Sequence, residues 1–365
     1  NKNIDYNVYN FVINALPLTN KTRDYFSSKI FGKMNKNSYI VNVGRGETVN
    51  EYDLYNALQS YQIRGAFLDV VKNEPVQENN KLLSLDNVYI SPHIANAMYN
   101  AIVIAEIGWN HMGDMVLAKE MIQSSKENGA DFVKFQTWSV DRLKRGPWDT
   151  DGRTEIYKKA ELSKDKHLLL KEYSDSIGLP FFSSVFSIQD AKLLKEVGVK
   201  SVKIASFESR NKELISYCYY HFDEVYLSTG TSSVEEVRKS TRTLDKEKFT
   251  ILHCVSSYPL LPKNCNLPRI NKLKEFFPRV GYSDHTFGVE TAKISLEYNP
   301  CVIEKHFTID QSLPGRDNKF AILPDELKEL SEYIKVKESM NINHGDDYLD
   351  CEQEARNIMT GRFDG

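Results

Sequence analysis

Hydrophobic and polar positions fall into short β-rich runs separated by amphipathic helical stretches. In the first hundred residues the runs Val8–Ala15, Ser38–Val43, Gly65–Val70 and Asn87–Ile90 alternate with segments such as Glu51–Leu58. That alternation predicts a parallel α/β sheet, here only half the size of a doubly wound one. From Ile102 the pattern restarts without a Gly/Ser/Pro linker, which puts a boundary near residue 100. It predicts strands at Val103–Gly108, Phe132–Thr137, Phe181–Phe186, Ser201–Ser206, Glu224–Gly230, Phe249–Val255, Val280–His285 and Cys301–Phe307. An amphipathic helical pattern follows each one, for example Asp114–Asn128, Ile188–Val197, Ser233–Leu244 and Pro324–Met340. Eight strand–helix units in about 240 residues match the size of a (β/α)8 TIM barrel, with an open doubly wound sheet as the alternative.

A barrel makes a claim about chemistry, because functional side chains gather where its strands end. Every predicted strand has polar residues near its exit. Glu106, Asn110 and His111 follow the first, Lys134 and Gln136 lie in the second, and Ser183 and Ser184 in the third. The fourth carries Lys203, Ser206 and then Glu208, and the fifth ends at Ser228, Thr229 and Gly230. The sixth leads into His253, Ser256 and Tyr258, the seventh ends in Ser283, Asp284 and His285, and the eighth in Glu304, Lys305 and His306. A strand lysine such as Lys134 is explained by an ion pair with Glu106. Two lysines, Lys134 and Lys203, on one rim instead suggest a cationic pocket for an anion with phosphate and carboxylate groups. His285 and His306, at the exits of neighbouring strands with Glu106 one strand further round, suggest a divalent metal site. His253 reads as strand packing. The tract Arg145–Ala160 is long for a barrel loop and reads as a binding loop or lid.

Charge and composition narrow the partners. Lys and Arg total 47 against 50 Asp and Glu, a net charge of −3, which offers no footprint for nucleic acid. No apolar run reaches the ~18–20 residues a bilayer crossing needs, so no membrane partner is expected. Five cysteines, odd in number and without a CxxC, suit a reducing cytoplasm.

The barrel blocks resemble a known family. They are Ile104–Gly113 (IAEIGWNHMG), Val133–Thr137 (VKFQT), Val202–Glu208 (VKIASFE), Leu227–Gly230 (LSTG), Leu252–Pro259 (LHCVSSYP), Gly281–Thr286 (GYSDHT) and Ile303–Thr308 (IEKHFT). In this order they are similar to the phosphoenolpyruvate-dependent sialic acid (N-acetylneuraminate) synthases over residues 101–345. The resemblance implies condensation of phosphoenolpyruvate with an N-acetylmannosamine-type sugar aldehyde, releasing phosphate. It implies that Lys134, Lys203, Ser206, Ser228 and Ser283, with Ser184, hold phosphoenolpyruvate. His285 and His306 would hold Mn2+ or Mg2+, and Glu106 would act at the reacting carbons. Gln136, Glu208, Tyr258 and Asp317 would contact the sugar, with Ser256 standing where the family carries asparagine. The resemblance also implies a homodimer and a following antifreeze-protein-like domain. This sequence does not contain that domain, and residues 346–365 read as the connecting tail.

Residues 1–100 resemble the second half of a D-2-hydroxyacid dehydrogenase NAD-binding domain. The matching blocks are Ala15–Arg23, Tyr39–Gly46, Gly65–Val70, Asn73–Pro75 and Ser91–Ala95. In that family Arg45 would clamp the substrate carboxylate, His93 would donate the proton, Glu74 would hold His93, and Asp69 would face the nicotinamide. A dinucleotide site needs a glycine fingerprint at the first strand–helix turn. Here Gly44 and Gly46 are followed by Val49 at the third glycine position, and the first βαβ unit is missing. The segment therefore reads as a vestigial site, with NAD not expected as a cofactor; the alternatives are NAD-dependent D-2-hydroxyacid dehydrogenase activity from this segment, or a non-catalytic fusion lacking essential domains.

Overall fold

The computed structural model describes residues 4–73, 76, 80–91, 101–340, 342 and 348–362, and divides into two units, 1–98 with 341–365 and 99–340. In the first unit, β1 (Phe11–Asn14), β2 (Tyr39–Asn42), β3 (Gly65–Leu68) and β4 (Val88–Ile90) form one parallel sheet in sequential order. Alternate strand residues such as Val12, Ile40, Ala66 and Leu68 pack with Phe31, Leu54, Leu58 and Ile63 into a buried core. The exits of β1 and β2 are tied together by side-chain amides. Asn14 Nδ2 donates to Asn42 Oδ1 at 2.8 Å and to Thr48 Oγ1 at 2.6 Å.

The second unit is a closed barrel of eight parallel strands. These are β5 (Ile102–Gly108), β6 (Phe132–Thr137), β7 (Phe181–Val185), β8 (Ser201–Ile204), β9 (Glu224–Ser228), β10 (Phe249–Cys254), β11 (Val280–Asp284) and β12 (Val302–His306). The ring closes where β12 pairs with β5, from Val302 beside Ile102 to His306 beside Glu106. The protein is thus an α/β chain, a (β/α)8 barrel preceded by a partial Rossmann-like parallel segment. The open-sheet alternative is excluded by that closing pair.

The strands are hydrophobic almost throughout because they are buried twice, against the barrel interior and against the outer helices. Helix starts follow the capping chemistry. Asp114 accepts from the backbone of Val116 and Leu117 ahead of Met115–Glu127, and Ser233 with Glu236 makes a capping box ahead of Val234–Ser240. The helix expected to run to Leu244 stops at Ser240. The tract expected as a loop at 145–160 ends instead in a helix, Arg153–Ala160. Several strands end one or two residues earlier than the pattern suggests, so Ser206 and His285 stand just past their strands.

Candidate active site

Side chains alternate between the two faces of a strand, so register sorts the polar residues of the barrel. In the parallel pairing Glu106 lies beside Lys134, Ser184 beside Lys203, Cys254 beside Ser283, Ser283 beside Glu304, and His306 beside Glu106. These residues share one face and meet in a single cluster. Asp284 and Lys305 pair with each other on the opposite face, with Lys305 Nζ 3.0 Å from Asp284 Oδ2 and 2.6 Å from the Thr286 carbonyl. Ser183 likewise joins Thr137 and His167 in an internal hydrogen-bond chain. Position near a strand exit had put these in one set with the cluster, and the tertiary contacts separate them. His253 stacks on Tyr282 and bonds the Cys265 carbonyl at 2.7 Å, which is packing, as the sequence suggests.

The two lysines do not form a bare cationic pocket. Lys134 Nζ is ion-paired with Glu106, donates to Ser184 Oγ at 2.7 Å and lies 3.7 Å from Glu304. Lys203 is ion-paired with Glu304, which also accepts from Ser283 Oγ at 2.8 Å. Two buried cations thus face two buried carboxylates, because an isolated charge at that depth is far too costly. Glu304 was given no role from the sequence, yet it is the hub of the cluster. Its position two residues before His306, and so on the same face of β12, was the available signal.

The two carboxylates differ in proton affinity. Burial pushes Glu106 above the ordinary glutamate range, with Lys134 opposing that and Glu304 adding to it. Burial acts on Glu304 in the same sense, but there Lys134, Lys203 and the Lys203 and Ser283 hydrogen bonds outweigh it and hold it well below that range. Glu304 is therefore held as an anion, and Glu106 has the higher proton affinity of the two. Glu106 also accepts from Gln136 Nε2 at 2.6 Å, so Gln136, expected at the sugar, is engaged within the cluster.

Hydroxyls complete the rim. Ser228 Oγ is buried without a hydrogen-bond partner among the described residues, and Ser206 Oγ accepts from the Gly230 amide at 3.2 Å. A Cβ at position 230 would overlap Ser256 Oγ and crowd Ser206, so glycine lets these serines close together. Cys254, which the sequence did not single out, lies 3.5 Å from Ser206 Oγ and 3.9 Å from His285 Nδ1. Burial alone would raise its thiol, but His285 and Lys203 pull it down to about 7. Glu208, expected at the sugar, accepts from Asn211 Nδ2 at 2.8 Å in its own turn.

The histidine rings lie 5.4 Å apart, flanked by Tyr258 at 4.3 Å from His285 and 6.2 Å from His306. His285 Nδ1 lies 3.1 Å from the Val255 carbonyl, which only accepts, so Nδ1 is the donor there. Burial and the neighbouring His285 hold His306 well below the ordinary histidine value, which keeps it neutral. His306 Nδ1 is 3.6 Å from Asp317 Oδ2. His306 thus has the protonation that a metal ligand needs, whereas at His285 burial is outweighed by Cys254 and the Val255 carbonyl, which raise its proton affinity above the ordinary histidine value. Among the described residues no three His, Cys, Asp or Glu side chains converge as a metal cluster.

In the first unit Asp69 is buried and accepts from Ser91 Oγ at 2.6 Å, and Arg45 donates to the Gly44 carbonyl at 3.0 Å. Glu74 and His93 lie outside the described residues. Gly46 is explained by main-chain packing, since a Cβ there would overlap the carbonyl of Val71.

Comparison with known proteins agrees with the fold. A profile described as NeuB family matches residues 121–344, and one described as D-isomer specific 2-hydroxyacid dehydrogenase, NAD binding domain, matches residues 7–95. An N,N'-diacetyllegionaminic acid synthase of Legionella pneumophila is 37% identical over 257 residues, which cover 65% of this chain and 72% of that protein. An N-acetylneuraminate-9-phosphate synthase of Drosophila melanogaster is 32% identical, covering 68% and 70% respectively. The crystal structure of an N-acetylneuraminic acid (sialic acid) synthetase from Leptospira borgpetersenii, in complex with citrate, superposes with a TM-score of 0.64 at 33% identity. That match covers 70% of this chain and 90% of the other.

Proposed function

The chain belongs to the NeuB family, and on that premise we propose that its barrel joins phosphoenolpyruvate to the aldehyde of an N-acylmannosamine-type sugar. The products are a nonulosonic acid and inorganic phosphate, with water adding to the enol carbon as its C–O bond to phosphate breaks. Relatives named as synthases of legionaminic and N-acetylneuraminic-9-phosphate acids support an enzyme of this class. The observation that carries the reading is one buried cluster combining Lys134, Lys203, Glu106 and Glu304 with serine hydroxyls beside the paired histidines His285 and His306.

Each residue has a role that follows from its chemistry. An ammonium has three donors, so Lys134 and Lys203 bind phosphate and carboxylate oxygens while keeping their glutamate partners. Ser184, Ser206, Ser228 and Ser283 supply hydroxyls to the same anion. Glu106, with its raised proton affinity, moves a proton at the reacting carbons or positions water. Tyr258, Asp317 and Ser256 line the sugar side. His285 and His306 would hold Mn2+ or Mg2+, which supplies a Lewis acid to a carbonyl oxygen when bound. No helix of the described residues is long and apolar enough to cross a membrane, and the cysteines Cys218, Cys254, Cys265, Cys301 and Cys351 are free, which supports a cytoplasmic enzyme. We assign no hydride transfer to the first unit; a change in nicotinamide fluorescence on mixing with the chain would overturn that.

The test is phosphate release from phosphoenolpyruvate with manganese, with and without N-acetylmannosamine. Sugar-dependent release lost in Lys203→Ala supports the reading. Absence of release with any acylamino sugar counts against it.

A further inference from the structure

Three aromatic rings meet at the rim beside the charged cluster. Trp109, in the turn after β5, stacks on Tyr157 with centroids 5.2 Å apart and planes at 20°. Trp138 meets both edge-on, 6.1 Å from Trp109 and 6.0 Å from Tyr157. Trp138 and Tyr157 belong to the insertion that follows β6, where Tyr157 sits on the helix Arg153–Ala160. Trp109 also donates Nε1–H to Asp317 Oδ2, the oxygen that lies 3.6 Å from His306 Nδ1. Asp317 is only 9% exposed, so the indole N–H is a substantial part of what holds its carboxylate in place. One side chain thus joins the insertion to the carboxylate beside the histidines.

Resting on the synthase reading above, we propose that Trp109 is a positioning residue for the sugar. It aims the Asp317 carboxylate at substrate hydroxyls, and with Trp138 and Tyr157 it forms the apolar wall against which a sugar lays its C–H face. A carbohydrate presents hydroxyl edges and apolar C–H faces together, and a carboxylate set against aromatic rings matches both. Phosphoenolpyruvate, small and highly charged, needs neither. Trp109 therefore acts on one substrate and not the other.

Trp109→Phe keeps a ring against Tyr157 but removes the N–H, whereas Trp109→His keeps an N–H donor. Steady-state phosphate release should show the KM for the sugar rising about tenfold in Trp109→Phe, the order expected for one hydrogen bond to a charged group. The KM for phosphoenolpyruvate should stay unchanged, and Trp109→His should recover part of the loss. Tyr157→Leu should raise the sugar KM less. An unchanged sugar KM in Trp109→Phe overturns the proposal, as does a parallel rise in both KM values with a fall in Tm, the mark of a merely structural role. Those outcomes occur in an active wild type; a wild type that releases no phosphate sinks the synthase reading, and this inference with it.

Discussion

Replacing Glu304 by glutamine tests the charge arrangement at the heart of the barrel. Glu304 is ion-paired with Lys203, lies 3.7 Å from Lys134 and accepts from Ser283. Glutamine keeps the volume and an oxygen for Ser283 but removes the charge. At an effective dielectric of about 20, an ion pair at 3.7 Å is worth about 4 kcal/mol. Breaking a buried pair from one side typically costs about 3–5 kcal/mol. Glu106 still faces both lysines, so the lower end, about 3 kcal/mol, applies here. For a unit of this size that corresponds to a Tm lower by roughly 6–12 °C. Inorganic phosphate supplies the missing negative charge and should restore part of the loss; a ligand at a hundred times its Kd stabilises by about 2.7 kcal/mol. The assay is thermal unfolding of wild type and Glu304→Gln, each with and without saturating phosphate. A variant as stable as wild type, or one that gains no more from phosphate than wild type does, refutes the claim that Glu304 neutralises a phosphate-binding lysine pair.

Three further outcomes follow from particular residues. Burial lowers His111 and His253 to about 4, while an unfolded histidine titrates near 6.5, so between those values the unfolded chain binds more protons and stability falls as pH drops. At pH 5 the loss is about 2 kcal/mol for each of these two histidines; His253→Gln should remove that one share of the acid destabilisation in urea titrations, and an unaltered slope would show the assignment wrong. Gly46→Ala should destabilise the first unit, because the new Cβ meets the Val71 carbonyl, a backbone group that cannot step aside. Limited proteolysis should then cut within residues 4–91 at lower temperature, while phosphate release by the barrel is unchanged. Chelation should abolish sugar-dependent phosphate release and manganese should restore it in wild type but not in His306→Ala; turnover indifferent to chelator would rule out the histidine pair as a metal site.

Most of the architecture is local and was legible in the chain. Alternating β-rich runs and amphipathic helices specify the twelve strands of the described residues to within a few residues, because each barrel strand must be apolar enough to bury both faces and several helices carry their own cap, as those after Asp114 and Ser233 do. Rim residues such as Lys134, Lys203, His285 and His306 stood out because charged groups in buried strands are rare. The insertion at 145–160 was harder to read, since its helix is stabilised by packing at Trp109 and Trp138 rather than by a strong apolar stripe.

Closure and charge pairing could not be read from local pattern. Eight strands suit an open sheet until β12 pairs with β5, a contact between segments some 200 residues apart. Which polar residues share the interior follows from strand register, and register is a property of neighbouring strands rather than of any one of them. Lys203 and Lys305 look alike in the chain, yet one faces Glu304 in the cluster and the other is locked to Asp284 on the opposite face. Lys134 and Lys203 looked like a cationic pocket because the sequence shows the cations without their partners. Only the folded barrel, where desolvation forces every buried charge to find an opposite one, makes Glu304 the centre of the site.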